Sequence, residues 1–353
     1  MSEDIASQSK TRNRSFAPAF AALDLGTNNC RLLVAAASGD GFRIIDSFSR
    51  IVRLGEGLQR TGMLDDAAMD RTVAALQGCA ERLASRPLRA VRAIATEACR
   101  RAGNGAAFLA RVRQETGLAF DVISTREEAE LAIEGCAPLL YGAGRRALLF
   151  DIGGGSTEIA WVRLSGEQRP ELIGYLSLPV GVVTLAERFA QGGNSQAVFD
   201  AVMCEVAERL RGFESVHCIR HEVCQGGVSL VGTSGTVTTL AGIALKLQRY
   251  SRSAVDGVVL PRSEANAALG QLRGLAPDDL ARHPCVGAER AAFVLPGCAI
   301  YAAIQQAWPT QHVIVADRGL REGMLLRMIR ADRARRQGRR IGGRHLAEKG
   351  ARA

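Results

Sequence analysis

The chain has 353 residues, 47% of them hydrophobic, and a formal net charge of +9. That content supports a sizeable core and a length that suits two domains. No apolar run approaches the ~20 residues of a membrane span, so no membrane association is expected, and the basic balance points to anionic partners such as phosphate chains, nucleotides or nucleic acid. Lysine occurs only at Lys10, Lys246 and Lys349; the remaining positive charge is arginine, whose planar fork pairs with phosphate through two parallel hydrogen bonds. The nine cysteines are scattered and never form a CxxC pair. That is no disulfide framework and fits a reducing, cytoplasmic setting. His217, Cys218, His221 and Cys224 make a loose cluster within a short helical stretch, a poor source of the four converging ligands a structural zinc needs.

In chain order, residues 1–15 are polar and read as a disordered lead. Residues 20–36, FAALDLGTNNCRLLVAA, form an apolar strand ending at an Asp, a small-residue turn and a second strand. An amphipathic helix follows over 64–83, with Met69, Val73, Leu76, Ala80 and Leu83 on one stripe. Residues 90–96 read as a strand leading into a helix near Ala98. Asn104 is placed to cap the next helix, which carries Phe108, Leu109 and Val112 and stops at Gly117. At 125–128 a Thr with a Glu three residues later is the pattern of a capping box. Residues 147–162, ALLFDIGGGSTEIAWV, then echo the first hairpin, and 229–243 form another strand–turn–helix. Two copies a lobe's length apart indicate a duplicated α/β unit rather than a solenoid. The segment 332–353 is rich in Arg and Gly with little apolar content, and reads as a basic disordered tail.

The paired hairpins carry the chemistry. Glycine lets a backbone approach an oxygen without an intervening Cβ, and the amides of a tight turn are good anion partners. Gly153, Gly154 and Gly155 therefore read as a phosphate cradle, with the hydroxyls of Ser156 and Thr157 as further donors; Gly26, Thr27 and Asn28 repeat it in the first half. Asp24 and Asp151, one before each turn, suit a hydrated Mg²⁺, which binds through one or two carboxylates plus substrate phosphates. Glu158 is either a further acidic ligand for metal or water or an outward-facing strand residue. Arg100 and Arg101 are either solvated or turned to phosphate.

Eight segments occur in order: DLGTNNCRLLVA (24–35), ATEACRRAGN (95–104), STREEAELAIEG (124–135), LLFDIGGGSTEI (148–159), GTSGTVTTLAG (232–242), VDGVVL (255–260), ERAAFVLPG (289–297) and DRGLREGML (317–325). Together they resemble the exopolyphosphatase and guanosine-pentaphosphate phosphohydrolase family, in its short, two-lobe branch. The resemblance implies two ribonuclease-H-like lobes of the actin, sugar-kinase and heat-shock-ATPase type with the active site in the cleft between them. It also implies that Glu128 is the general base, with Glu127 the alternative owner of that role. Asp151 and Glu158 are then acidic residues near metal and water, the two turns are phosphate contacts, and Arg100 faces the phosphates. On this reading lobe I covers 16–134 and lobe II 135–316. A final helix, 317–331, packs back on lobe I; for Arg321 and Glu322 within it a structural role at the lobe interface is expected. The expected activity is Mg²⁺-assisted release of terminal phosphate from inorganic polyphosphate or guanosine penta- or tetraphosphate. A homodimer is implied, with nucleic acid limited to weak contact by the basic tail. A kinase of the same superfold and a non-catalytic guanosine tetra- or pentaphosphate sensor are the competing readings.

Overall fold

Strand periodicity decides which side chains meet in this molecule. The computed structural model describes residues 19–140, 144–165, 169–192 and 196–350; the lead at 1–15 lies outside them. One sheet holds β1 (Ala19–Leu25), β2 (Asn29–Ser38), β3 (Gly41–Ile51), β4 (Leu88–Ala95) and β5 (Asp121–Val122) in the order β3-β2-β1-β4-β5. The second holds β6 (Arg146–Ile152), β7 (Thr157–Arg163), β8 (Glu171–Leu178), β9 (Val228–Thr233), β10 (Val259–Pro261) and β11 (His312–Ala316) in the order β10-β11-β9-β6-β7-β8. In each, an antiparallel three-strand meander is extended by parallel strands, β1 pairing β4 and β6 pairing β9, and in the second an antiparallel β10 closes the edge beside β11. The echo in the sequence is therefore a repeated sheet, and the two-lobe α/β architecture follows.

Successive side chains of a strand point to opposite faces. In β1, Ala19, Ala21, Leu23 and Leu25 enter a core within the first lobe, whereas Phe20 and Ala22 enter a central core between the lobes. In β6, Leu148, Phe150 and Ile152 belong to the second lobe's own core, and Ala147 and Leu149 to the central one. The layer between the sheets is filled by two helices, Thr125–Leu140 and Leu320–Gly350, which contribute Leu131, Ile133, Cys136, Met324, Leu325 and Ile329. Each such buried aliphatic side chain stabilises by about 1.5–3 kcal/mol. Ion pairs rim this layer: Arg327 to Glu134 at 2.5 Å and Arg330 to Glu134 at 3.1 Å.

These two helices cross with backbones nearly touching. A Cβ on Gly135 would overlap the carbonyl of Gly319, and one on Gly323 would overlap the carbonyl of Leu131.

Several local expectations change. The helix expected at 64–83 is Asp66–Ala84, and its cap is Asp65, which accepts from the Ala68 amide at 3.2 Å. Asn104 does precede the helix Gly105–Thr116, but its side chain makes no cap bond; it pairs instead with both backbone groups of Leu64, at 2.8 and 3.0 Å. A side chain tying two segments together replaces the local cap. The basic segment after Asp332 is not a coil, because the last helix runs on to Gly350. Alanine, arginine, glutamine and leucine are strong helix formers, so low hydrophobicity there did not mean low helicity.

Gly323→Ala should gain up to ~1 kcal/mol of helix propensity yet lose more by overpacking, typically ~1–3 kcal/mol. Urea denaturation should therefore show a lowered midpoint with an unchanged slope.

Candidate active site

The two hairpins match position for position. The Gly26 amide donates to the Asn29 carbonyl at 2.9 Å, and the Gly153 amide donates to the Ser156 carbonyl at 2.9 Å. Asp24 stands opposite Arg31 across its ladder, and Asp151 opposite Glu158 across the equivalent one. Parity then fixes where all four point. Asp24 shares a face with Phe20 and Ala22, Arg31 with Leu33 and Ala35, Asp151 with Ala147 and Leu149, and Glu158 with Ala160 and Val162; these apolar residues all belong to the interlobe core. Where that core ends, the four side chains line a single cavity of about 410 Å³ between the lobes.

The turns meet tip to tip at this cavity. A Cβ on Gly154 would lie 3.0 Å from the Asn28 amide nitrogen, and one on Gly155 would lie 2.6 Å from Thr27 Oγ1. Glycine is needed here for the approach of one lobe to the other as well as for any ligand. Backbone bonds brace both turns from behind: Val52 and Arg53 amides to the Asn28 carbonyl at 2.9 and 3.0 Å, and Val182 and Val183 amides to the carbonyls of Gly153 and Gly154 at 3.0 and 2.8 Å. Among the described residues the amides of Thr27, Asn28, Gly154 and Gly155 have no backbone acceptor. Asn28 Oδ1 is buried without a partner.

The helix Thr125–Leu140 separates the two glutamates at its start. Ser124, not Thr125, caps it, its Oγ accepting from the Glu127 amide at 3.2 Å. Glu127 turns away, pairing with Arg92 and lying 3.8 Å from Arg327. Glu128 is buried and faces the cavity. Arg100 holds it: one Nη donates to Glu128 at 3.2 Å and to the Ile123 carbonyl at 2.8 Å, and the other donates to Glu97 at 2.7 Å. Arg100, expected to face phosphate, is instead saturated by these acceptors and does not line the cavity. Thr157 likewise departs from expectation: its hydroxyl donates to the Val180 carbonyl at 2.7 Å, because its strand position points into the second lobe's core rather than the gap. Ser156 does line the cavity, donating to Glu158 at 2.6 Å, with Ser177 donating to the same oxygen at 3.1 Å.

Burial and mutual repulsion raise the acidic groups. Burial pushes Asp151 up to about 6, opposed by Arg31 and reinforced by Asp24. Burial and then the Asp151 charge push Glu158 up to about 7, against the hydrogen bonds from the two serines. Glu128 is raised well above the carboxylate range, first by burial, then by Glu158, with Arg100 opposing. Asp24 is raised by burial against the pull of Arg31 and Arg321.

Sequence reasoning missed the cationic wall. Arg31, Arg252, Arg290, Arg318 and Arg321 all line the cavity. Arg252 and Arg318 are committed, to Glu322 at 2.6 Å and to Asp256 respectively. Arg31, Arg290 and Arg321 form no ion pair among the described residues. Burial drives the Arg321 guanidinium below its ordinary value, against the charges of Glu322 and Asp24. Glu322, by contrast, is structural as expected, accepting from the Gly319 amide at 2.9 Å. Arg31 was findable, since it holds the hairpin position equivalent to Glu158, opposite Asp24; the others come from segments distant in sequence and needed the fold.

Acidic groups facing unpaired guanidinium groups, with turn amides between them, suit a phosphate compound. The model of the Ppx/GppA phosphatase family matches residues 33–332. The chain belongs to the Ppx/GppA phosphatase family. The Ppx/GppA member from Aquifex aeolicus superposes with a TM-score of 0.72 at 28% identity, over 89% of this chain and 98% of that one. An exopolyphosphatase-like protein matches with a TM-score of 0.78 at 25% identity, over 88% and 97%. An exopolyphosphatase from Cytophaga hutchinsonii, at 23% identity and a TM-score of 0.77 over 89% and 98%, shares the fold. Membership of the Ppx/GppA family makes this chain a hydrolase of phosphoanhydride bonds, and the interlobe cavity is its candidate active site.

Gly155→Ala should push the turns apart by driving a methyl into Thr27, costing ~1–3 kcal/mol and lowering phosphate release. Adding Thr27→Ala should recover part of the lost stability, a coupling that thermal unfolding of the double variant measures.

Proposed function

We propose that the cavity releases the terminal phosphate of inorganic polyphosphate or guanosine pentaphosphate by direct attack of water, with Glu128 as general base. The observation that carries this reading is the placement of the buried, raised carboxylate of Glu128, together with those of Asp24, Asp151 and Glu158, on the same cavity as paired turns and three guanidinium groups that form no ion pair among the described residues. A base whose carboxylate is destabilised by burial accepts a proton more readily. Glu128 takes a proton from water as the water oxygen attacks the terminal phosphorus, and the bond to the bridging oxygen breaks in line. Arg31, Arg290 and Arg321, with the turn amides, offset the negative charge of the phosphoryl groups. Arg100 orients Glu128 through its bond at 3.2 Å and is itself held by Glu97. Among the described residues no histidine and no cysteine lines the cavity, which favours direct hydrolysis over a phosphohistidine or phosphocysteine intermediate.

Magnesium fits the hard-oxygen donors of Asp24, Asp151 and Glu158. Among the described residues no three acidic, histidine or cysteine side chains gather as a ready cage, so one or two of these carboxylates would hold the ion together with substrate oxygens and water. When bound, it supplies charge neutralisation on the phosphoryl oxygens. The carboxylates that repel one another gain a counter-charge from it.

Glu128→Gln keeps the shape and removes the base. Phosphate release from both substrates should fall by about a hundredfold or more, with the unfolding midpoint unlowered, because burying a neutral amide relieves repulsion from Glu158. Unchanged turnover would eliminate Glu128. Transfer of labelled phosphate to an added hydroxyl acceptor would establish a kinase instead, and nucleotide binding with no turnover by the unaltered protein would establish a sensor.

A further inference from the structure

A second cationic recess lies on the far side of the interlobe layer. It is a cavity of about 270 Å³ floored by Phe20 and Ala90 and lined by Arg89, Asp332, Arg335 and Arg336. Arg89, at the start of β4, and Arg336, on the final helix, both grip the buried carboxylate of Asp332 at 2.7 Å. That shared partner fixes two guanidinium groups on the rim while leaving each about half exposed. Arg335 bonds only the Ala331 carbonyl, through Nε at 3.2 Å, so its terminal nitrogens are uncommitted among the described residues. Three guanidinium groups against a single carboxylate leave the recess net positive, in a place the catalytic chemistry does not use.

The final helix links this recess to the active site. Its first turn carries Arg321 into the catalytic cavity, and Arg335 stands 14 positions later, about 20 Å along the axis at 1.5 Å per residue. We infer that the recess forms an accessory site for the distal part of an inorganic polyphosphate chain. Phosphate is the group that suits three guanidinium forks. A bare phosphate chain is favoured over single-stranded nucleic acid because the Phe20 ring on the floor is buried in the interlobe core and residues 332–353 contain no Phe, Tyr or Trp, whereas single-strand binders use aromatic platforms on which bases stack.

The inference rests on polyphosphate being a substrate, and the test separates the two. Binding is measured in the Glu128→Gln background by titrating a long polyphosphate, tripolyphosphate and a single-stranded RNA of matched charge, with and without Arg335→Glu and Arg336→Glu. Arg89→Gln provides a second variant that leaves the helix untouched. Long polyphosphate should bind about tenfold or more weakly to the double variant, with a salt dependence shallower by roughly 0.7 per lost contact if the chain behaves as a single-stranded polyanion. Tripolyphosphate, too short to span both sites, should bind unchanged. Equal affinity of variant and parent for long polyphosphate would overturn the accessory site while leaving the hydrolytic reading intact. Equally tight, competing RNA would overturn the choice of ligand. Failure of the parent protein to hydrolyse or bind any polyphosphate would remove the reading on which the inference rests.

Discussion

Charge buried on an otherwise apolar seam is the constraint from which this structure follows. Two sheets face each other across a layer of aliphatic side chains, and the same strand faces that bury Ala22 and Leu149 carry Asp24 and Asp151. Isolated carboxylates in such a place are costly, and proteins answer by pairing or protonating them. Here Arg100 braces Glu128, the two serines brace Glu158, and Arg31 opposes both aspartates electrostatically. The compensation is incomplete, as the raised Asp151 and Glu158 show. The carboxylates thus stay raised even though Arg31 and Arg321 pull Asp24 down, so burial outweighs the guanidinium charges on this seam.

The second requirement is proximity. Glycines at 135, 154 and 323 lie where one element's backbone touches another's, and Gly155 lies against the Thr27 side chain. Two of these contacts are in the turns and two in the helix crossing, so the same device sets the separation of the lobes and the stacking of the helices between them. Cavity-lining groups borne on different lobes are held at a fixed separation by this, because little flexible side chain intervenes between the rigid elements that carry them.

Much of this was legible from residues alone. The repeated strand–Asp–Gly hairpin predicted two similar sheets, and strand alternation would have placed Glu158 and Arg31 on the aspartates' face without any coordinates. Thr157 was misread because hydroxyl chemistry was weighed above parity: it is odd by one position and faces the core. Arg100 was misread for a different reason. Which acceptors surround a guanidinium depends on Glu97, Ile123 and Glu128 arriving from separate elements, and no local pattern encodes that. The same holds for Arg290 and Arg318, which reach the cavity only through folding of the second lobe. In the tail, sparse apolar residues and glycines obscured an arginine and alanine content that supports helix.

The hairpins differ at one informative place. Positions 31 and 158 are equivalent in register, yet one holds arginine and the other glutamate. That opposite-signed exchange makes the two jaws of the cavity electrostatically unlike, one presenting a guanidinium where the other presents a carboxylate.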